Sequence, residues 1–238
     1  MSRGYTVALA LVAPALLGAA LVAHRTVAPD PTRVRNTPRA PGSIVVLAAG
    51  DSITAATYPK HLQALFHERK LDVTVVNAGI KGHTSGEYLA ALASSGLLER
   101  TDPDFILLQL GTNDVRIDAD HTDTARFYRQ MNEILDRMLT HQNRRGTRPV
   151  VFLATIPPVV VTIPRYFDDS STLRVRVEIN PTIRRLARER NLPLVDIYDL
   201  FIRHPEWIPE IHPSEDGYRA MAQEWFAALS PQLARRVQ

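Results

Sequence analysis

No cysteine occurs anywhere in the 238 residues. That excludes disulfides, thiolate metal sites and an anchor lipidated on cysteine. It leaves the compartment open, because exported proteins also do without cysteine. The chain also lacks a His-Glu-x-x-His zinc pattern, a glycine-rich phosphate loop and a dinucleotide fingerprint, so neither a metal nor an organic cofactor is expected. There is no internal repeat. Residues 6–23 lack charge of either sign and follow Arg3.

What is present divides into three parts. Residues 1–23 read as a signal peptide or an uncleaved N-terminal anchor, with Leu21-Val22-Ala23 a passable cleavage site. The expected location is therefore secreted or extracytoplasmic and membrane-anchored, with residues 6–23 a possible membrane tether. Arg25, Arg33, Arg35 and Arg39 follow the apolar run against Asp30 alone, and that bias favours a cytoplasmic flank. Residues 24–42 are rich in Pro and Arg without periodicity, and read as a semi-extended linker. Setting those four arginines, Arg3 and Asp30 aside from totals of 28 basic and 25 acidic residues leaves the remainder near −1. The remainder carries no charge excess for nucleic acid, so no nucleic-acid partner is expected.

From residue 43 to residue 238 the pattern is that of one α/β domain. Strand-like runs fall at 44–49, 72–77, 105–110, 149–155 and 193–197, and helical spacing fills the gaps. Tyr58, Leu62, Leu65 and Phe66 share one helix face. Phe127, Met131, Ile134, Leu135 and Met138 share another, and Tyr218, Met221, Trp225, Phe226 and Leu229 a third. Ser214 is the expected N-cap of the last helix. Strands alternating with helices imply a parallel sheet covered on both faces. The long connection 157–172 lies past the fourth strand and is expected to overhang the edge where such sheets bind ligands.

Four points fall at the carboxyl ends of these strands. Gly50-Asp51-Ser52 follows the first, where a serine is well placed to act as a nucleophile. Asn77-Ala78-Gly79 ends the second, where a glycine permits a tight turn or close backbone approach. Gly111-Thr112-Asn113-Asp114 follows the third, and an asparagine there offers an NH₂ donor for a developing oxyanion. His212 precedes the last helix. Taken singly, each is equally an ordinary turn or surface residue.

Taken together, in this order, the four blocks resemble the SGNH hydrolase family, also called GDSL esterases and lipases, over about residues 43–230. The resemblance implies a three-layer α/β/α sandwich on a five-stranded parallel sheet. It also implies a serine esterase that cleaves carboxylic esters through an acyl-enzyme. Ser52 then looks like the nucleophile and His212 its general base, with an oxyanion hole from the Ser52 N–H, the Gly79 N–H and the Asn113 amide. Family members carry an Asp three residues before this His; here that position is Pro209. Glu210, two residues before His212, becomes the candidate orienting acid, because alternate residues of an extended segment share a side. Segments 179–184 and 192–196 resemble lysophospholipase-like members and carbohydrate acetylesterases. They point to small acyl esters on glycans or lysolipids. An O-acyltransferase of the same fold, or a catalytically decayed surface binding domain, are the alternatives.

Overall fold

The computed structural model describes residues 42–118, 122–161 and 165–237. The expectations for residues 1–41 lie outside the described residues. A five-stranded parallel sheet forms from β1 (Ile44–Gly50), β2 (Val73–Gly79), β3 (Phe105–Gln109), β4 (Val150–Ala154) and β5 (Leu194–Val195), in the order β2-β1-β3-β4-β5. The helices are α1 (Ser52–Ala55), α2 (Tyr58–Glu68), α3 (Ser85–Ser95), α4 (Leu97–Thr101), α5 (Thr124–Thr140), α6 (Asp169–Arg174), α7 (Asn180–Glu189), α8 (Ile197–Arg203) and α9 (Glu215–Val237).

The strands are nearly all apolar because both faces of the sheet are covered. Residue alternation sorts them into two cores. Leu47, Ala49, Ile106, Leu108, Val151 and Leu153 join Tyr88, Phe127, Met131, Ile134 and Ile183 on one face. Val46, Ala48, Phe105, Leu107, Phe152 and Ala154 join Tyr58, Phe66, Phe201, Met221 and Trp225 on the other. The helix faces read from the spacing therefore pack as expected. Ser214 does cap α9, its hydroxyl accepting the Gly217 N–H at 3.2 Å.

Two elements differ from their expected form. β5 is confined to Leu194–Val195, because Asp196 caps α8 through the Asp199 N–H instead of continuing the strand. The 157–172 connection is not all loop: α6 begins at Asp169, and Asp168 caps it through the Ser171 N–H. The part described runs along the segment that follows β3. Tyr166 O accepts the Ile117 N–H at 3.0 Å, and Ser171 Oγ donates to Val115 O at 2.7 Å.

Candidate active site

Strand order reverses between β1 and its two neighbours, so β2 and β3 leave the sheet on either side of the β1 end. Open α/β sheets bind ligands at that point, outside the carboxyl ends. Ser52 begins α1 immediately past β1, and Asp51 caps the turn, its Oδ1 accepting the Ile53 N–H at 3.0 Å. As the first residue of α1, Ser52 has an N–H with no intrahelical acceptor.

His212 comes from the other end of the chain, just before α9. Its Nε2 stands 2.9 Å from Ser52 Oγ, and both residues are half-buried. With the ring proton on Nδ1, Nε2 accepts the hydroxyl proton. Burial, then the field of Lys81, holds the imidazolium below the ordinary histidine range, while Glu210 acts in the opposite sense. The ring is thereby kept neutral, the state a base requires.

Asn113 lies buried in the 3₁₀ turn Asn113–Val115 past β3. Its Nδ2 donates to His83 O at 3.0 Å, which fixes the amide and leaves its second N–H unassigned. The turn is held from beneath. Asp114 accepts from the Ser85 N–H at 3.0 Å, and the buried Arg174 donates to Asp114 O at 3.1 Å and to Thr122 O.

Gly79 plays a part different from the one its position in the sequence suggests. Its N–H donates to Asn77 Oδ1 at 3.0 Å, so it is already engaged. A Cβ on Gly79 would lie 2.2 Å from Ala55 N, so this glycine is needed for α1 to rest on the end of β2. Three residues on, Gly82 has φ +78°, open space where a Cβ would be, and an N–H without a protein partner among the described residues. It directly precedes His83, whose carbonyl holds Asn113. Gly82 thus offers a free amide one residue ahead of the carbonyl that holds Asn113. The turn glycine just ahead of the Thr84–Glu87 capping box was the signal in the sequence that could have found it.

Glu210 is exposed and makes no hydrogen bond to His212, whose Nδ1 has no protein acceptor among the described residues. The reason is local: residues 209–212 run as a series of bends, not as the extended segment that would align alternate side chains. Asp196 is spent on capping α8 and on a pair with Arg184 at 2.9 Å. Among the described residues no group of three or more His, Asp or Glu is placed to hold a metal ion.

Comparison with known proteins agrees with this arrangement. The family model described as the GDSL-like Lipase/Acylhydrolase family matches residues 48–220. An arylesterase of Vibrio mimicus is 28% identical over 198 residues, covering 79% of this chain and 86% of its own. The fold matches a lipase/acylhydrolase from Enterococcus faecalis with a TM-score of 0.65 at 21% identity, over 79% of this chain and 96% of that one. It also matches a carbohydrate acetylesterase family member from Sinorhizobium meliloti with a TM-score of 0.64 at 18% identity, over 81% and 98%.

Proposed function

This chain belongs to the GDSL-like lipase/acylhydrolase family and is a carboxylic ester hydrolase, and from that premise we propose that it works through an acyl-enzyme on Ser52. The observation that carries the reading is the 2.9 Å approach of Ser52 Oγ to His212 Nε2 across 160 residues of sequence, at the carboxyl edge of the sheet. Oγ attacks the ester carbonyl carbon as its proton passes to Nε2. The oxyanion is met by the Ser52 N–H, the Gly82 N–H and the free Asn113 Nδ2–H, donors fixed before the charge develops. His212 returns the proton to the leaving alkoxide, and the same base then activates water to release the acid. Glu210 supports the imidazolium through space.

For the substrate we favour small acyl esters on carbohydrates or lysolipids. The likeness in fold to a carbohydrate acetylesterase family member supports the first, and the arylesterase relative supports action on carboxylic esters without bearing on the acyl chain. We further propose that residues 43–238 form the hydrolase domain and that the uncharged stretch at 6–23 directs export or tethers the enzyme to a membrane. No described helix is long and apolar enough to cross a membrane.

A fluorophosphonate probe tests the mechanism. It should label the wild type once and leave Ser52→Ala unlabelled, with hydrolysis lost and thermal unfolding unchanged. Full turnover by Ser52→Ala would overturn the reading. A p-nitrophenyl ester series from acetate to palmitate then fixes the acyl preference, with acetate expected to lead.

A further inference from the structure

Two polar groups flanking the site are left over by the mechanism. Asp51, adjacent to Ser52, is only 1% exposed, and Thr112, adjacent to Asn113, 4%. Asp51 Oδ1 caps α1, but Oδ2 is buried with no hydrogen-bond partner of normal geometry, and so is Thr112 Oγ1. The parallel pairing of Gly50 with Gln109 brings the two turns off the sheet side by side, and the hydroxyl and the amide of Thr112 both favour the charged form of the Asp51 carboxyl. A buried carboxylate oxygen and a buried hydroxyl, each unpaired, are costly apart and relieve each other when they close.

We propose that Asp51 and Thr112 form a strut between the turn that carries Ser52 and the turn that carries Asn113. In its ionised form the Asp51 carboxylate draws the Thr112 O–H and N–H toward Oδ2, and this sets the spacing between the serine Oγ and the asparagine amide. Asp51 and Thr112 touch no reacting atom and are positioning residues. The inference rests on Ser52 being the nucleophile.

The surroundings make the strut sensitive to pH. Asp51 is faced by Thr112 and Asp114 from the turn after β3, by Tyr58 from α2 and by Tyr218 from α9. No cation is among them. Burial, chiefly, with Asp114 adding to it, pushes the Asp51 carboxyl up to about 6. A protonated carboxyl can still meet the Thr112 hydroxyl, which donates or accepts, but it presents a donor or a weaker acceptor to the Thr112 amide. Below about pH 6 the strut slackens while the fold persists. Activity then falls with two protonations, of His212 and of Asp51. Stability responds the other way. The folded-state value lies above the ordinary 3.8, so this residue favours the fold most at the acid end, and that contribution is lost as pH rises through about 6.

The test uses the full chain with p-nitrophenyl acetate. The wild-type acid limb of log kcat/KM should fall with a slope approaching two, and Asp51→Asn should reduce it to one. Thr112→Val should lower kcat by about ten- to a hundredfold with KM nearly unchanged, the effect of a small misplacement of catalytic groups. Thr112→Ser, which keeps the hydroxyl, should restore it to within about twofold. Superimposable limbs for wild type and Asp51→Asn, or full kcat in Thr112→Val, would overturn the strut. If Asp51→Asn does not fold, the Thr112 pair decides alone. If the wild type neither hydrolyses the ester nor takes the fluorophosphonate, the Ser52 reading fails and the strut fails with it. An active, labelled enzyme indifferent to both substitutions sinks the strut only.

Discussion

At the scale of single residues, the base is set between two opposite charges. Lys81 stands on the loop between Gly79 and Gly82, exposed and without an ion-pair partner among the described residues, and its field disfavours the imidazolium of His212. Glu210 favours it. Activity requires neutral His212, so the acid limb of kcat/KM follows the histidine down from its ordinary 6.5. Glu210→Gln removes a stabiliser of the cation and should move that limb to lower pH. Lys81→Met removes a repulsion and should move it to higher pH. A pH titration of kcat/KM in the three proteins checks both signs, and equal limbs would show that the two side chains do not act on the base. Because Glu210 makes no hydrogen bond to the ring, its substitution should cost kcat less than about tenfold, well below the loss expected for an oxyanion donor. The sequence made Ser52 and Asn113 legible because each follows a strand whose apolar run is easily read, and His212 because it sits at the entry to the amphipathic last helix. Glu210 was misread as aligned with His212, since a bend and an extended segment look alike in four residues.

At the scale of elements, the shortest helix is the most constrained. α1 spans only Ser52–Ala55, too short to hold itself together by its own hydrogen bonds. It is secured at both ends by side chains. Asp51 caps its start, and Asn77 reaches from β2 to donate to Ala56 O at 3.3 Å while accepting the Gly79 N–H. Gly79 and Gly82, three residues apart, should therefore respond differently to the same change. Gly79→Ala drives a methyl into the α1 backbone and should destabilise the fold by about 1–3 kcal/mol with loss of activity. Gly82→Ala meets open space and bears only the left-handed φ, costing about 1 kcal/mol. Its main effect should be on kcat. Thermal unfolding beside steady-state kinetics separates the two, and equal melting temperatures would contradict the assignment. Which glycine packs and which is free depends on where β2 ends against α1. That is a contact between segments more than 20 residues apart, and local spacing carries no trace of it.

At the scale of the whole molecule, the sheet and its two helical layers were legible because five buried strands alternate with amphipathic helices, and parallel pairing follows from that order. β5 was read too long because Pro193-Leu194-Val195-Asp196-Ile197 is strand-like in composition while Asp196 and Ile197 serve the next helix. The N-terminal sequence shows no core-forming pattern beyond its apolar stretch at 6–23, and among the described residues the two cores begin at Ile44. A chain beginning at Ser43 is thus expected to keep the kcat and melting temperature of the full protein. A soluble but inactive product would show that the preceding segment serves the site. The distance along the chain between Ser52 and His212 has one more consequence. α9 closes over α2 through Trp225 on Tyr58 and Phe226 on Phe66, and Glu215 accepts from Thr57 and engages His61 beside the site. Contacts of such long range form late, after the loops between them have closed. A chain still emerging from the ribosome holds its serine without its histidine. Hydrolytic competence therefore arrives only when the last helix docks, and recovery of ester turnover after dilution from denaturant should report the completion of folding, behind the earlier return of helical signal.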